Sequence, residues 1–452
     1  MSDSPALYFQ GGTLVIANPP ETDPPGSPFQ WIKGKWRCEA YHYPDLTLSS
    51  VRDTVPRWEH LNTTLDDSRQ PHDYQVEAIE AWAAAGRRGS IVLPTGAGKT
   101  FVAVQAIHHI NRSTVVVAPT IDLLHQWYAR LGNALNTEIG VYYGAEKIVL
   151  PITVTTYHSA GDLIAEYGNQ FKLLVFDEVH HLPAPSWGET ALMSPSPYRL
   201  GLTATYPEDH EMGDGRWHLD ELIGPIVYQK RIDDLVGKRL AEYRTERVRV
   251  DLTSTEREAY DADFAIYAGF FRSRRLRETH GANWLMELMR LSAYDRDARA
   301  ALLARHRILR LLAGCEGKLA VASRLLREHV TDQILIFTES NATVYDLSRR
   351  HLIPALTHET KAAERKRVLE AYRAGDYRVL VTSKVLNEGV DVPEAKVAIV
   401  LGGTSSAREY IQRLGRVLRK TGSLEAVLYE VIARDTVDEG RAQRRRPKAG
   451  SA

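Results

Sequence analysis

The segment Leu93-Pro94-Thr95-Gly96-Ala97-Gly98-Lys99-Thr100 sets two glycines, a lysine and a hydroxyl where a short apolar run ends and a helical stretch begins. Glycine lets backbone amides curl closely around phosphate oxygens. Thr95, Gly96, Ala97 and Gly98 would form that cradle, Lys99 would reach the β- and γ-phosphates, and Thr100 would hold Mg²⁺. The strict phosphate-loop pattern has glycine where Leu93 stands. The alternative is a glycine-rich turn with an unrelated lysine; the strand–turn–helix context weighs against it.

Asp177-Glu178-Val179-His180 follows a second apolar run, Leu173–Phe176. A carboxylate at a strand end can hold Mg²⁺ directly or through water, the role open to Asp177. Glu178 can orient or activate an attacking water. His180 and His181 are alternative metal ligands, but no second His/Cys pair stands at ligand spacing. Together the two motifs point to nucleoside triphosphate hydrolysis. ATP is favoured over GTP, because the chain has no base-reading Asn-Lys-x-Asp. In Gln412-Arg413-Leu414-Gly415-Arg416-Val417-Leu418-Arg419, a helix would put Gln412, Arg416 and Arg419 on one face. Planar guanidinium groups suit the charge on a transferring phosphoryl group, so Arg416 and Arg419 are arginine-finger candidates. Their other reading is a solvated basic stripe.

Such groups need parallel strands ending beside one another. Over residues 67–235, Ser90–Leu93, Thr114–Ala118, Ile152–Thr155 and Leu173–Phe176 read as buried strands, with helices at 99–110 and 121–134 between them. Residues 236–315 are helical and arginine-rich apart from a strand near Arg247–Val250. Alternation returns over 316–452, with strands at Gln333–Phe337, Tyr377–Val381, Val397–Val400 and Ala426–Glu430. The fold class expected is α/β: two parallel-sheet halves with a helical insert between them. Residues 1–66 read as a small β unit, with hairpins around Gly11-Gly12 and Lys33-Gly34 and a proline-rich loop over 19–28. A basic tail closes the chain.

Composition bounds the remaining classes. A chain of 452 residues allows about two to four domains. Lysine plus arginine (57) equals aspartate plus glutamate (57), so a nucleic-acid surface would have to be local. A hydrophobic fraction of 44% excludes a disordered or fibrous chain. No apolar run approaches the roughly 18 residues of a membrane span, and Met1–Pro5 has no signal-peptide character. Cys38 and Cys315 cannot form a four-cysteine zinc site or a disulfide framework. A reducing, cytoplasmic setting fits.

The motifs resemble those of a known family. Gly98-Lys99-Thr100, Asp177-Glu178-Val179-His180, Leu202-Thr203-Ala204-Thr205 and Gln412-x-x-Gly415-Arg416-x-x-Arg419 look like motifs I, II, III and VI of superfamily-two helicases. The DEVH box and Ser406–Arg416 narrow the likeness to compact XPB-type helicases. The resemblance implies two RecA-like domains, a damage-recognition-like N-terminal unit and a thumb-like insert. It also implies DNA-dependent ATP hydrolysis with 3′→5′ unwinding or translocation in nucleotide excision repair, Mg²⁺ as cofactor, and a Bax-type nuclease as partner. By motif position Gln75 would read adenine, and Gly389 and Asp391 of motif V would face the nucleotide. Thr120, Thr156, Thr338 and Thr382 would contact DNA phosphates. Glu208 and Asp209 match two residues of the family's Arg-Glu-Asp motif, with Pro207 in place of the arginine. His72 and Asn387 also depart from the usual Arg and Asp.

Two surfaces keep two readings each. Arg272, Arg274, Arg275 and Arg277 beside Phe270 and Phe271 suit single-strand binding, or else form the solvated face of an amphipathic helix. Trp31, Trp36, Tyr41 and Tyr43 suit base stacking, or else a small domain's core. For the whole chain, an RNA helicase and an ATP-gated DNA clamp that does not unwind processively are the alternatives.

Overall fold

The computed structural model describes residues 5–17, 28–47, 51–67, 69–94, 96–184, 187–207, 218–230, 234, 243–281, 284–383, 395–402 and 426–444. The chain divides into two compact units, Met1–Arg231 and Ile232–Ala452.

The first unit opens with a β-sheet ordered β3-β4-β2-β1-β5. Its strands are β1 (Ala6–Gln10), β2 (Thr13–Ala17), β3 (Gln30–Ile32), β4 (Lys35–Glu39) and β5 (Arg52–Asp53). Gly11-Gly12 and Lys33-Gly34, all at positive φ, turn the two expected hairpins. The proline-rich loop lies almost wholly outside the described residues. Strand β5 pairs parallel to β1; two residues long, it left no periodic signal in the sequence. Leu7, Leu14, Ile16, Phe29 and Val55 form the core of this sheet, with Trp36 and Tyr43 packed against it. Trp31 instead stands 58% exposed.

This small sheet is fastened to the domain that follows. The amide of Gly12 donates to Ala165 O, and a Cβ at Gly12 would strike Met193. The guanidinium groups of Arg88 and Arg199 lie 4.8 and 4.7 Å from the Tyr41 ring centroid, and the Tyr41 hydroxyl donates to Glu221 O. Arg199 is fully buried and also donates to the backbone carbonyls of Ser194 and Leu222.

The larger sheet of this unit runs β13-β6-β12-β11-β7-β10-β8-β9. Its strands are β6 (Arg88–Val92), β7 (Thr114–Ala118), β8 (Gly140–Tyr143), β9 (Glu146–Ile148), β10 (Ile152–Thr156), β11 (Leu173–Asp177), β12 (Tyr198–Thr203) and β13 (Ile226–Gln229). All neighbours are parallel except the β8–β9 hairpin. Helices α1 (Asp73–Ala84), α2 (Lys99–Ile110), α3 (Ile121–Leu135) and α4 (Tyr157–Tyr167) cross between strands. The apolar positions of α3, Leu124, Trp127, Leu131 and Leu135, recur at helical spacing and are buried.

The second unit carries a parallel sheet ordered β14-β19-β18-β15-β17-β16. Its strands are β14 (Tyr243–Val250), β15 (Ile334–Phe337), β16 (Ala355–Leu356), β17 (Val379–Thr382), β18 (Val397–Val400) and β19 (Ala426–Ala433). The strand expected near Arg247–Val250 is therefore an edge of this sheet, paired along its length with β19. The helical insert begins after it, at Ser254–Arg274. That helix starts with a Thr253–Glu256 capping box. Further helices follow at Trp284–Leu291 and Arg296–Ala313. No helix among the described residues is long and apolar enough to cross a membrane.

A fully buried ion pair closes this unit. Lys318 Nζ donates to Asp438 Oδ2 at 2.6 Å and to Leu401 O at 2.5 Å, with both side chains at most 1% exposed. Removing one partner leaves the other charge buried and uncompensated. Lys318→Met should therefore destabilise the unit by about 3–5 kcal/mol, read as an earlier urea transition. Pairing it with Asp438→Leu should recover much of that loss.

Candidate active site

The phosphate loop lies where β6 gives way to α2. Gly98, the N-cap of α2, has φ 80°, and a Cβ there would lie 2.5 Å from Gln75 Nε2. Glycine alone fits that close approach. It also offers no side-chain cap, so the first amides of α2 remain for an anion. Lys99 is buried, donates to Leu93 O at 3.3 Å and lies 3.9 Å from Glu178 Oε1. Gln75 Nε2 and the Tyr74 hydroxyl each donate to Ala97 O at 2.9 Å. Gln75 Oε1 accepts from the His72 amide at 2.9 Å. Gln75 thus ties the start of α1 to the phosphate loop.

Strand order brings the second motif alongside. Strand β12 lies between β6 and β11, with Thr203 in register with Val92 and Leu202 with Asp177. Asp177 ends β11. Glu178 takes the left-handed region at φ 48°, unusual outside glycine, and its amide donates to Asp177 Oδ1 at 3.0 Å. Trp127 Nε1 donates to Asp177 Oδ2 at 2.8 Å, and the Tyr157 hydroxyl donates to Asp177 O at 3.0 Å. The Thr203 hydroxyl sits 2.9 Å from His180 Nδ1 and 3.5 Å from Glu178 Oε2. Motif III is thereby joined to motif II.

Burial, and then the neighbouring Glu178 charge, push the Asp177 carboxyl above its ordinary range. The Trp127 N–H, Lys99 and the Glu178 amide pull it the other way. A buried carboxylate held up in this manner gains from a nearby cation. Asp177 and Thr100, with the amides of α2 beside them, fit a divalent ion shared with phosphates. Among the described residues no group of three or more His, Cys, Asp or Glu side chains could hold a metal by itself.

The other expected residues are placed as follows. Thr120 caps α3, its hydroxyl accepting from the Leu123 amide at 3.3 Å. Thr156 is buried at the start of α4. Thr338 follows directly on β15, Thr382 ends its partner strand β17, and both are fully buried. Their hydroxyls serve internal bonds, Thr338 accepting from the Ser340 amide and Thr382 donating to Ser383 O. Phe270 is buried and Phe271 packs partly buried against the insert's own core, the arrangement of an amphipathic helix. Arg274 meets Asp295 at 2.9 Å and Arg275 meets Glu278 at 3.7 Å, while Arg272 is exposed. The side chain of Arg277 and all of Thr95, Glu208, Asp209, Gly389, Asp391, Gln412, Arg416 and Arg419 lie outside the described residues.

Sequence reading gave Thr203 a motif position but no partner. Trp127 is fifty residues from Asp177 along the chain, and only the strand order brings α3 beside β11. A buried indole on the apolar face of α3 was the one available signal.

Residues 68–208 match the family model "Type III restriction enzyme, res subunit", and residues 317–421 match "Helicase conserved C-terminal domain". The chain is 42% identical over 445 residues to a protein of Sulfurisphaera tokodaii named DNA 3′-5′ translocase XPB2, covering 97% of this chain and 99% of that one. It is 32% identical to the DNA 3′-5′ helicase XPB of Mycobacterium tuberculosis, over 82% of this chain and 62% of the relative. Among solved structures, the Hef helicase domain of Pyrococcus furiosus superposes with a TM-score of 0.55 at 20% identity, covering 83% of this chain and 98% of that one. That likeness shows the shared fold of paired RecA-like domains. The chain belongs to the XPB family of superfamily-two helicases.

Proposed function

We propose that this protein is an ATP-dependent DNA 3′→5′ translocase that separates strands, acting in nucleotide excision repair. The observation that carries the reading is the buried meeting of Lys99 with Glu178 beside Asp177, at the mouth of a glycine-capped helix. Its end-to-end likeness to a relative named as a DNA 3′-5′ translocase supports DNA as the track.

In this reading the amides of α2 and the Lys99 ammonium bind and orient the triphosphate. Asp177 and Thr100 would hold Mg²⁺, which would supply positive charge against the triphosphate. Glu178, turned toward Lys99 by its left-handed backbone, orients the attacking water and accepts its proton at a carboxylate oxygen. Thr203 and His180 hold Glu178 in place. By the family resemblance, Arg416 and Arg419, with Gln412, would stabilise charge on the γ-phosphate, and Gly389 and Asp391 would bind the nucleotide. ATP turnover would shift the DNA contacts at Thr120, Thr156, Glu208, Asp209 and the insert arginines, while Thr338 and Thr382 are buried away from such a contact.

The domain assignment that accompanies this is 1–66 damage-recognition-like, 67–235 helicase domain 1, 236–315 thumb-like and 316–452 helicase domain 2. A Bax-type nuclease partner and a cytoplasmic setting rest on the family resemblance and on cysteine usage. ATP turnover measured with single-stranded DNA, duplex DNA and RNA as stimulators tests the reading. Stimulation by RNA alone would replace DNA as the track. Binding to DNA without any turnover would leave only a clamp.

Three substitutions separate the roles. Lys99→Ala should lower kcat by about 10²–10³-fold at unchanged circular dichroism, because a phosphate contact is lost, and loss of its contact with Glu178 should bring an earlier urea transition. Glu178→Gln keeps shape and removes the proton acceptor. It should bind ATP normally while turnover falls about 10²–10⁴-fold, and a stable ATP-bound complex on DNA should accumulate. Arg416→Ala and Arg419→Ala should lower DNA-stimulated kcat by about 10³-fold or more with little change in ATP affinity. Lysine at either position should rescue poorly, since an ammonium lacks the planar fork; steady-state kinetics with a fluorescent-nucleotide titration reads both quantities.

A further inference from the structure

We infer that Trp127 is a positioning residue: its indole N–H fixes the Asp177 carboxylate, and through α3 it links that carboxylate to the Thr120 end of the helix. The inference rests on the reading of Asp177 as a Mg²⁺-holding group and of Thr120 as a DNA contact.

Both oxygens of Asp177 are engaged from defined directions. Oδ1 accepts the Glu178 amide at 3.0 Å, and Oδ2 accepts Trp127 Nε1 at 2.8 Å. The first donor belongs to the same strand end and moves with it. The second comes from a different element. Trp127 is 2% exposed and Asp177 7% exposed, so water does not compete for this bond. A hydrogen bond to a buried carboxylate is charge-assisted and stronger than a neutral one. It also sets the carboxylate plane, as outer-sphere partners do for metal ligands.

Helix α3 carries Trp127 two turns from its N-cap. Thr120 accepts from the Leu123 amide through its hydroxyl and from the Leu124 amide through its carbonyl. The cap and Trp127 are therefore parts of one hydrogen-bonded rod, roughly 10 Å apart along the axis. A contact that shifts or tightens the cap displaces the indole, and with it Oδ2 of Asp177. A wall residue would need only the apolar ring. The N–H aimed at the carboxylate is what the packing role leaves unexplained, since an indole with no acceptor here would cost stability.

The test uses the full chain and Trp127→Phe, which keeps a buried ring and removes the donor. Binding of a fluorescent, non-hydrolysable ATP analogue is titrated against Mg²⁺ without turnover. The half-saturating Mg²⁺ concentration should rise about 10-fold or more, while analogue affinity without Mg²⁺ stays at the wild-type value. DNA-stimulated kcat should fall with the half-saturating DNA concentration unchanged. Leu131→Ala, a buried position on the same helix, controls for loosened packing and should leave the Mg²⁺ requirement unchanged. A folded Trp127→Phe protein with wild-type Mg²⁺ dependence overturns the inference, as does a Leu131→Ala protein that matches its defect.

If Trp127→Phe does not fold, Trp127→Tyr is measured in the same way. A further readout uses the wild-type protein labelled with ¹⁵N-tryptophan. Its Trp127 indole N–H resonance, identified as the one of eight missing from the folded variant at 127, should shift when Mg²⁺ is added to the analogue complex; no shift overturns the inference. Analogue affinity independent of Mg²⁺ in the wild type would instead sink the nucleotide-site reading itself, a result separable from the others.

Discussion

One buried ammonium between a buried and a partly buried carboxylate is the constraint on which the first unit depends. Lys99, Asp177 and Glu178 come from two strand ends, and none has water enough to stand alone. The carboxylates outnumber the ammonium, so the cluster carries a deficit of positive charge. Burial and mutual repulsion accordingly push Asp177 up. A triphosphate alone would worsen that balance. A divalent cation beside Asp177 would offset the deficit locally, which is the role proposed for the oxygens of Asp177 and Thr100, while the free amides of α2 would meet the phosphate charge.

The sheet exists to hold this arrangement. Strand β12 separates β6 from β11 by one position, so the phosphate loop and Asp177 face each other across the end of β12. Thr203 sits at that end and touches both His180 and Glu178. Parallel strands make this possible because all their carboxyl ends lie on one edge, where ligands of open α/β sheets bind. The small β-sheet is anchored to the same framework through Tyr41, stacked on Arg199 in β12. A displacement of that sheet would therefore be felt by the strand that ends in Thr203.

Much of this was legible in the residues. Helix α2 spans Lys99–Ile110, matching the expected 99–110, because a glycine N-cap and a run of buried Val, Ala and Ile leave little choice. The four strands expected in the first α/β domain are all present, each a short β-branched run. Strand β12 was not legible as a strand: Gly201 and the polar Arg199 interrupt its apolar pattern, and only packing explains them. Gly201 lies against Val179, and Arg199 finds carbonyls to donate to. Strands β5, β9 and β16 are too short for periodicity to register. At the site, the groups that touch phosphate in the proposed reaction come as contiguous motifs and were readable. The groups that orient them, Trp127, Tyr157 and Thr203, sit on other elements and acquire their meaning from strand order.

The second unit repeats the logic with different groups. Its last described helix, Val437–Arg444, is tied to the sheet's carboxyl edge by two ion pairs. Asp438 meets Lys318, which also holds the carbonyl of Leu401 just past β18. Arg441 meets Glu339, just past β15, through a two-pronged contact at 2.8 Å on each side. Buried ion pairs rarely add net stability over well-packed apolar residues. Their directionality fixes geometry instead. Here they fix two strand ends of the sheet, at Glu339 after β15 and at Leu401 after β18. Among the described residues, both units thus bury charge at the carboxyl edge of a parallel sheet: in the first, two carboxylates share one ammonium, and in the second each carboxylate has its own cation. A shared ammonium leaves Asp177 pushed up toward its neutral form, whereas the paired charges of the second unit act as fixed ties on the strand ends at Leu401 and Glu339.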